Sequence, residues 1–249
     1  MSKTAIITGA GSGLGQAAAV RLAEEGVNIA VVDVSEKGAN ETVELVKQAG
    51  AEAIFIQADV SKEADVKNYV DKTLEHFGSI DYFFNNAGIS GSGKYFLDSD
   101  VAEIERIVGI NLLGALYGVR YVAEVMVKNG GGSIVNTSSS AGVIGQDSVV
   151  TYAATKHAIV GMTKSLVAEY AKDGLRVNAI APGPTETKMV AEFYAVNPKM
   201  KENATGGIPQ KRLGTPEEVA ELVTFLLTSK AQYINGEVIR IDGGFTNTK

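Results

Sequence analysis

Short apolar runs alternate with longer amphipathic stretches along the whole of this 249-residue chain. The runs at 5–7, 27–32, 53–58, 80–84, 133–136, 176–180 and 238–241 are rich in Ile, Val, Ala and Phe and too short for buried helices. They predict seven strands buried on both faces. Between them, 16–25, 36–49, a stretch carrying Val66, Tyr69, Val70 and Leu74, the long segment 101–128 and a segment from Tyr152 to about 170 repeat apolar residues at helical spacing. Ser61 reads as an N-cap for the third of these, although Ala64 stands where a capping box wants glutamate. Thr215-Pro216-Glu217-Glu218 opens a further helix, with Thr as N-cap and Pro at the first helical position. Strands alternating with helices at this rhythm predict an α/β fold, a doubly wound sheet of about seven parallel strands with helices on both faces. We read residues 1–249 as one domain.

One segment breaks the rhythm. From 185 to 213 no clean period appears, and Met189, Phe193, Tyr194 and Met200 are loosely spaced. It reads either as a mobile cover over a substrate or as a surface helix whose apolar side simply packs.

The strand ends carry the chemistry. The first strand runs into Thr8-Gly9-Ala10-Gly11-Ser12-Gly13-Leu14-Gly15, then a helix, then a strand ending at Asp33. Strand, glycine turn, helix and strand within about 30 residues is the dimension of a dinucleotide-binding βαβ unit. The common G-x-G-x-x-G is absent, and G-x-x-x-G-x-G over Gly9, Gly13 and Gly15 stands in its place. Glycines let a backbone approach a pyrophosphate, and the helix N-terminus offers it unpaired amides. Asp33 can accept both ribose hydroxyls of an adenosine and would repel a 2′-phosphate, which favours NAD over NADP. Asn85-Asn86-Ala87-Gly88 follows the fourth strand, where small and amide residues leave room for a flat ligand. Gly88 to Lys94 mimics a P-loop, but Tyr95 stands where magnesium binding needs Ser or Thr, so the match is a coincidence.

Tyr152 and Lys156 stand four apart, which on a helix places both side chains on one face. A lysine ammonium beside a tyrosine favours the phenolate, so the pair is a candidate acid/base device. The same spacing also arises by chance in helices with a buried tyrosine and a solvated lysine. Asn111 and Gly114 weaken the interior of the long helix, and Asn111 is placed to interrupt the ladder and hold a water. In the run Thr137-Ser138-Ser139-Ser140 the residues alone do not say which serine matters.

Composition removes several functions. The net charge is −6 with no basic stripe, so a nucleic-acid partner is not expected. There is no Cys, which excludes disulfides and thiolate chemistry. His76 and His157 are the only histidines, and with no close acidic cluster a catalytic metal is not expected. No signal peptide is read before the first strand and no apolar stretch is read as membrane-spanning, so the expectation is a soluble cytoplasmic protein with no membrane partner.

Taken jointly, Thr8-Gly9-x-x-x-Gly13-x-Gly15, Asn85-Asn86-Ala87-Gly88, Asn111, Ser139, Tyr152-x-x-x-Lys156 and Pro182-Gly183 resemble the short-chain dehydrogenase/reductase family over nearly the whole chain. The resemblance implies a Rossmann-like domain, and the family's usual 13-residue interval before the tyrosine selects Ser139. It implies Tyr152 as general acid/base, Lys156 as the residue that lowers its pKa and binds the nicotinamide ribose, Ser139 as hydrogen-bond donor to the substrate oxygen, and Asn111 as holder of a water linking Lys156 to solvent. It implies NAD as cofactor. Gly9, Ser12, Gly13 and Leu14 would line its pyrophosphate, Asp33 would hold the adenosine ribose, and Asp59 and Val60 the adenine. Asn86 would lie at the ribose region, with Pro182, Gly183, Thr185 and Thr187 flanking the nicotinamide. The expected activity is hydride transfer between NAD(H) and a small or alicyclic secondary alcohol or ketone, in a homotetramer. The alternatives are a 3-oxoacyl thioester reductase and a non-catalytic dinucleotide-sensing scaffold.

Overall fold

The computed structural model describes residues 2–196 and 205–248. Its strands are β1 (Thr4–Thr8), β2 (Asn28–Asp33), β3 (Ala53–Gln57), β4 (Tyr82–Asn85), β5 (Gly132–Thr137), β6 (Leu175–Pro182) and β7 (Val238–Ile241). All pair in parallel, in the order β3-β2-β1-β4-β5-β6-β7. The helices are α1 (Gly13–Glu24), α2 (Glu36–Gln48), α3 (Glu63–Phe77), α4 (Val101–Val108), α5 (Gly114–Lys128), α6 (Val150–Tyr170), α7 (Lys188–Val196) and α8 (Pro216–Leu227).

Each strand feeds two cores because successive side chains point to opposite faces. Ala5 and Ile7 of β1 join the layer of α1, α2 and α8, where Leu22, Val43 and Val223 are buried. Ile6 joins the other layer with Val66 and Tyr69 of α3 and Val122 and Met126 of α5. The order in which successive strands are added reverses between β1 and β4, so the switch point lies between their carboxyl ends, the expected ligand position.

Two expectations change. The 28-residue run Val101–Lys128 is apolar enough to cross a membrane by length and composition, which the sequence reading did not credit. Val119, Val122 and Met126 are spent in the core, which accounts for its apolar side. Ser61 does not cap α3. The helix begins one residue later, with Lys62 at the cap position, and the Ser61 hydroxyl donates to Asp59 Oδ1 at 2.6 Å. Thr215 does cap α8, in a reciprocal capping box with Glu218.

A buried amide chain ties the middle of the sheet to its helices. Asn85 Nδ2 donates to Ala115 O and to Asn136 Oδ1, both at 3.0 Å, and Asn136 Nδ2 donates to Thr163 Oγ1 at 3.0 Å. Removing one member strands the others without water. Asn136→Ala is therefore expected to cost on the order of 2 kcal/mol, read as a lower urea midpoint at unchanged slope.

Candidate active site

The turn after β1 is shaped for close approach. Gly9 and Gly13 have φ of +65° and +56°, and a Cβ on Gly15 would sit 2.2 Å from Gly9 O. A β-carbon on Gly38 would meet Gly11 O at 2.4 Å, so α2 also rests directly on the turn. Ser12 takes the N-cap position of α1 without a side-chain cap bond. Asp33 ends β2 with both oxygens oriented by backbone amides, Oδ2 accepting from Gly11 N and Oδ1 from Ser35 N, each at 2.8 Å. These features fit a dinucleotide: an amide-lined helix start in a cradle a side chain would fill, and a fixed carboxylate beside it.

A cleft of about 420 Å³ opens over the switch point. Gly9, Ser12, Gly13, Leu14, Asp33, Asp59, Val60 and Asn86 line one part, and Ser139, Tyr152, Lys156, Pro182, Gly183, Thr185 and Thr187 another. The sequence-predicted set is thus brought together, with Asn111 directly behind it. Asn111 is 1% exposed and lies in a π-helical turn (Gly109–Leu113) between α4 and α5, so the expected break in the ladder is present. Its amide holds Ile89 by both backbone groups: Oδ1 accepts from Ile89 N and Nδ2 donates to Ile89 O, each at 2.8 Å. A Cβ on Gly88 would stand 3.2 Å from Asn111 Oδ1, a tight contact, and 3.5 Å from Lys156 Nζ, so the two groups converge beside this glycine.

Lys156 is 4% exposed, and its ammonium donates to Thr137 O at 2.7 Å. Burial depresses it from 10.5 to about 8. Tyr152 lies one turn away, with Lys156 Nζ 5.6 Å from the ring centre. Burial raises the phenol, and the neighbouring Ser139 hydroxyl opposes that rise. The expectation that Lys156 lowers Tyr152 is therefore not met by these two residues alone. The ammonium is committed to the Thr137 carbonyl, and the phenol's rise follows from its loss of water.

The serines have separate duties. Ser138 Oγ donates to Lys156 O at 2.9 Å, fixing the helix from which the lysine projects. Ser139 Oγ accepts from Ala141 N at 3.1 Å and lines the cleft. Ser140 Oγ accepts from Gln146 Nε2 at 3.1 Å.

Other predicted positions serve first as braces. Asn86 Nδ2 donates to Thr8 O at 3.1 Å and its Oδ1 accepts from Thr137 Oγ1 at 3.2 Å, tying the ends of β1, β4 and β5. Thr185 Oγ1 donates to Gly183 O at 3.0 Å, and Thr187 Oγ1 accepts from Val190 N at 3.3 Å in the first turn of α7. Asp59 is held below the usual carboxylate range, chiefly by the Ser61 hydroxyl. His157 is exposed, its Nδ1 2.9 Å from Ala153 O. Of the loosely spaced apolar residues, Met189 and Tyr194 line the cleft, while Met200 and the side chain of Phe193 lie outside the description.

Sequence reasoning gave Thr8 no role beyond opening the glycine motif, yet its hydroxyl accepts from both Asn86 N and Ala87 N, at 2.9 and 3.1 Å. Its place directly before Gly9 was the available signal. It also missed Gln146 and Val149, which reach the cleft from the irregular loop before α6 and follow no periodic pattern.

A protein-family profile described as enoyl-(acyl carrier protein) reductase matches residues 9–246. Levodione reductase from Leifsonia aquatica is 44% identical over 97% of this chain and 93% of its own length. Cyclohexanol dehydrogenase from Acinetobacter sp. (strain SE19) is 36% identical over 99% and 95%. A solved 3-ketoacyl-(acyl-carrier-protein) reductase from Brucella melitensis, complexed with NADH, superposes with a TM-score of 0.92 at 34% identity, covering 98% of each chain.

The buried lysine has a consequence for stability. Between pH 8 and 10.5 the unfolded chain holds a proton that the folded Lys156 has released, so the stability of the wild type rises with pH in that window. Relative to Lys156→Met, the wild type is expected to gain on the order of 2 kcal/mol between pH 8 and 10 and to run parallel below pH 7, measured by urea melts.

Proposed function

This chain belongs to the short-chain dehydrogenase/reductase family and is an oxidoreductase of alcohol and ketone groups, and from that premise we propose an NAD(H)-dependent enzyme for small alicyclic secondary alcohols and their ketones. The observation that carries the proposal is the meeting of Ser139, Tyr152 and Lys156 in one cleft whose far part holds the oriented carboxylate of Asp33. The names of the levodione and cyclohexanol enzymes support the alicyclic substrate. The apolar residues Ile89, Val149, Met189 and Val190 in the cleft support it on chemical grounds.

NAD, when bound, would supply the hydride acceptor or donor. The protein's own groups manage the proton. In oxidation the Tyr152 oxygen takes the proton of the alcohol, and in reduction it returns a proton to the ketone oxygen. Ser139 donates a hydrogen bond to that oxygen as its charge changes. Lys156, held by Thr137 O and carried by a helix that Ser138 braces, supplies positive charge beneath the tyrosine. With a pKa of about 8 it can pass a proton toward Asn111, which we assign to the relay's outer end. Gly9, Ser12, Gly13 and Leu14 face the pyrophosphate in this reading, Asp33 the adenosine ribose, Asp59 and Val60 the adenine, and Asn86 the ribose region. Pro182, Gly183, Thr185 and Thr187 flank the nicotinamide, and 185–213 serves as the substrate cover. The proposal includes a cytoplasmic homotetramer, supported by the family's general oligomeric habit.

A 3-oxoacyl thioester reductase is the second reading, favoured by the Brucella neighbour. That neighbour holds NADH, so cofactor preference does not separate the two readings, and a substrate panel must. A dinucleotide-sensing scaffold would need only the cofactor part of the cleft, and the intact Ser139, Tyr152 and Lys156 weigh against it.

Tyr152→Phe is expected to lower kcat about a thousandfold on cyclohexanol while NADH binding, followed by fluorescence, stays within twofold. Near-normal turnover by this variant would remove Tyr152 from the mechanism. For the cofactor, kcat/KM with NADH should exceed that with NADPH about a hundredfold, and Asp33→Ala should erase most of the difference. Equal use of the two by the wild type would overturn the Asp33 assignment.

A further inference from the structure

The loop between Ser139 and α6 is a built element. Ser139 O accepts from Gly142 N at 2.8 Å, and Ser140 O accepts from Val143 N and Ile144 N at 3.2 and 3.1 Å, so the chain curls tightly after the serines. It then passes Ser148, a buried non-glycine residue held at φ +61°, a conformation that costs on the order of 1 kcal/mol. Between these points the Gln146 side chain returns to the cleft and donates its Nε2 to Ser140 Oγ at 3.1 Å. Gln146 Oε1 has no hydrogen-bond partner among the described residues.

An amide pinned by its nitrogen differs from the hydroxyls around it. A serine hydroxyl rotates to donate or accept as required and so discriminates little. Gln146 presents a fixed acceptor, in a cleft where Ile89, Val149 and Val190 are apolar. It lies on the same loop as Ser139 and Ser140, within the same lining as Tyr152. An acceptor so placed rewards a substrate that brings a donor and is left unpaired by one that does not.

Building on the alicyclic alcohol reading above, we propose that Gln146 is a specificity-determining residue whose carbonyl oxygen accepts a hydrogen bond from a second hydroxyl of the substrate, next to the carbon that is oxidised. The substrate class is then a vicinal diol in oxidation and the corresponding hydroxyketone in reduction. A plain monoalcohol reacts at the same Ser139 and Tyr152 without that contact.

The test compares kcat/KM for cyclohexanol with that for the cis and trans isomers of 1,2-cyclohexanediol, and for 2-butanol with that for the 2,3-butanediols. The wild type should favour at least one diol over its monoalcohol by about tenfold or more. Gln146→Leu should shrink that ratio at least fivefold, and Gln146→Glu, which keeps an acceptor, should retain a diol preference. A wild type that favours the monoalcohol in every pair overturns the proposal even if Gln146→Leu fails to fold. So does a Gln146→Leu enzyme with the wild-type ratio. If only the butane pair turns over, the alicyclic reading fails while the Gln146 assignment is still decided by that pair. Turnover of neither series overturns both.

Discussion

The interaction on which the site depends is the buried ammonium of Lys156 against the carbonyl of Thr137. It joins the carboxyl end of β5 to the first turns of α6, and so sets how far the tyrosine stands from the sheet. Neighbouring contacts exist to make that burial tolerable. Ser138 caps the lysine's own carbonyl, and glycine at position 142 leaves space, because a Cβ there would lie 2.2 Å from Ser138 Oγ. Gly88 lies close to the same ammonium, where a Cβ would stand 3.5 Å from Lys156 Nζ and 3.2 Å from Asn111 Oδ1. A buried cation with one carbonyl partner is costly, and a fold keeps such a cost where the charge has work to do.

Around that point the strand ends are laced by side chains. Thr8, Asn86 and Thr137 bridge the ends of β1, β4 and β5 at the surface of the cleft, and one layer below Asn85 and Asn136 join β4 to β5 while Thr163 ties them to α6. The switch point parts the chain between β1 and β4, which leaves a crevice with no crossing connection above it. Polar bridges hold that crevice open at a fixed width, where apolar packing would let it close. The cofactor residues read from sequence therefore serve two purposes, and Asn86 spends both ends of its amide on the frame.

The strand and helix order was legible because apolar runs too short for helices recur between amphipathic stretches, and the boundaries of β7 were read to the residue. Gly9, Gly13 and Asp33 were legible from the spacing of the βαβ unit, whereas the Tyr152–Lys156 pair, whose spacing also arises by chance, gained meaning only from its joint order with Asn111, Ser139 and the glycine turn. The rest depended on competition between partners that no spacing encodes. Ser61 has the composition of a cap, yet Asp59 takes its hydroxyl. Asn111 signals a weak point in a helix, but nothing in the chain says that its amide will grip Ile89. Gln146 sits in an aperiodic loop, and its approach to Ser140 exists only once the turn after Ser139 has formed.

The pKa directions give the last constraint. Burial pushes Lys156 down to about 8 and Tyr152 up, so the two move apart in proton affinity. At neutral pH the protein by itself holds a protonated tyrosine above a mostly charged lysine. That is the state for giving a proton to a ketone. Taking one from an alcohol needs the phenolate, and the cleft's residues alone do not stabilise it. Positive charge brought in with a second reactant would supply that stabilisation, acting at short range in a site already stripped of water. A desolvated pair therefore links the tyrosine's readiness as a base to the charge of whatever fills the cleft, whereas an exposed pair would be screened from it.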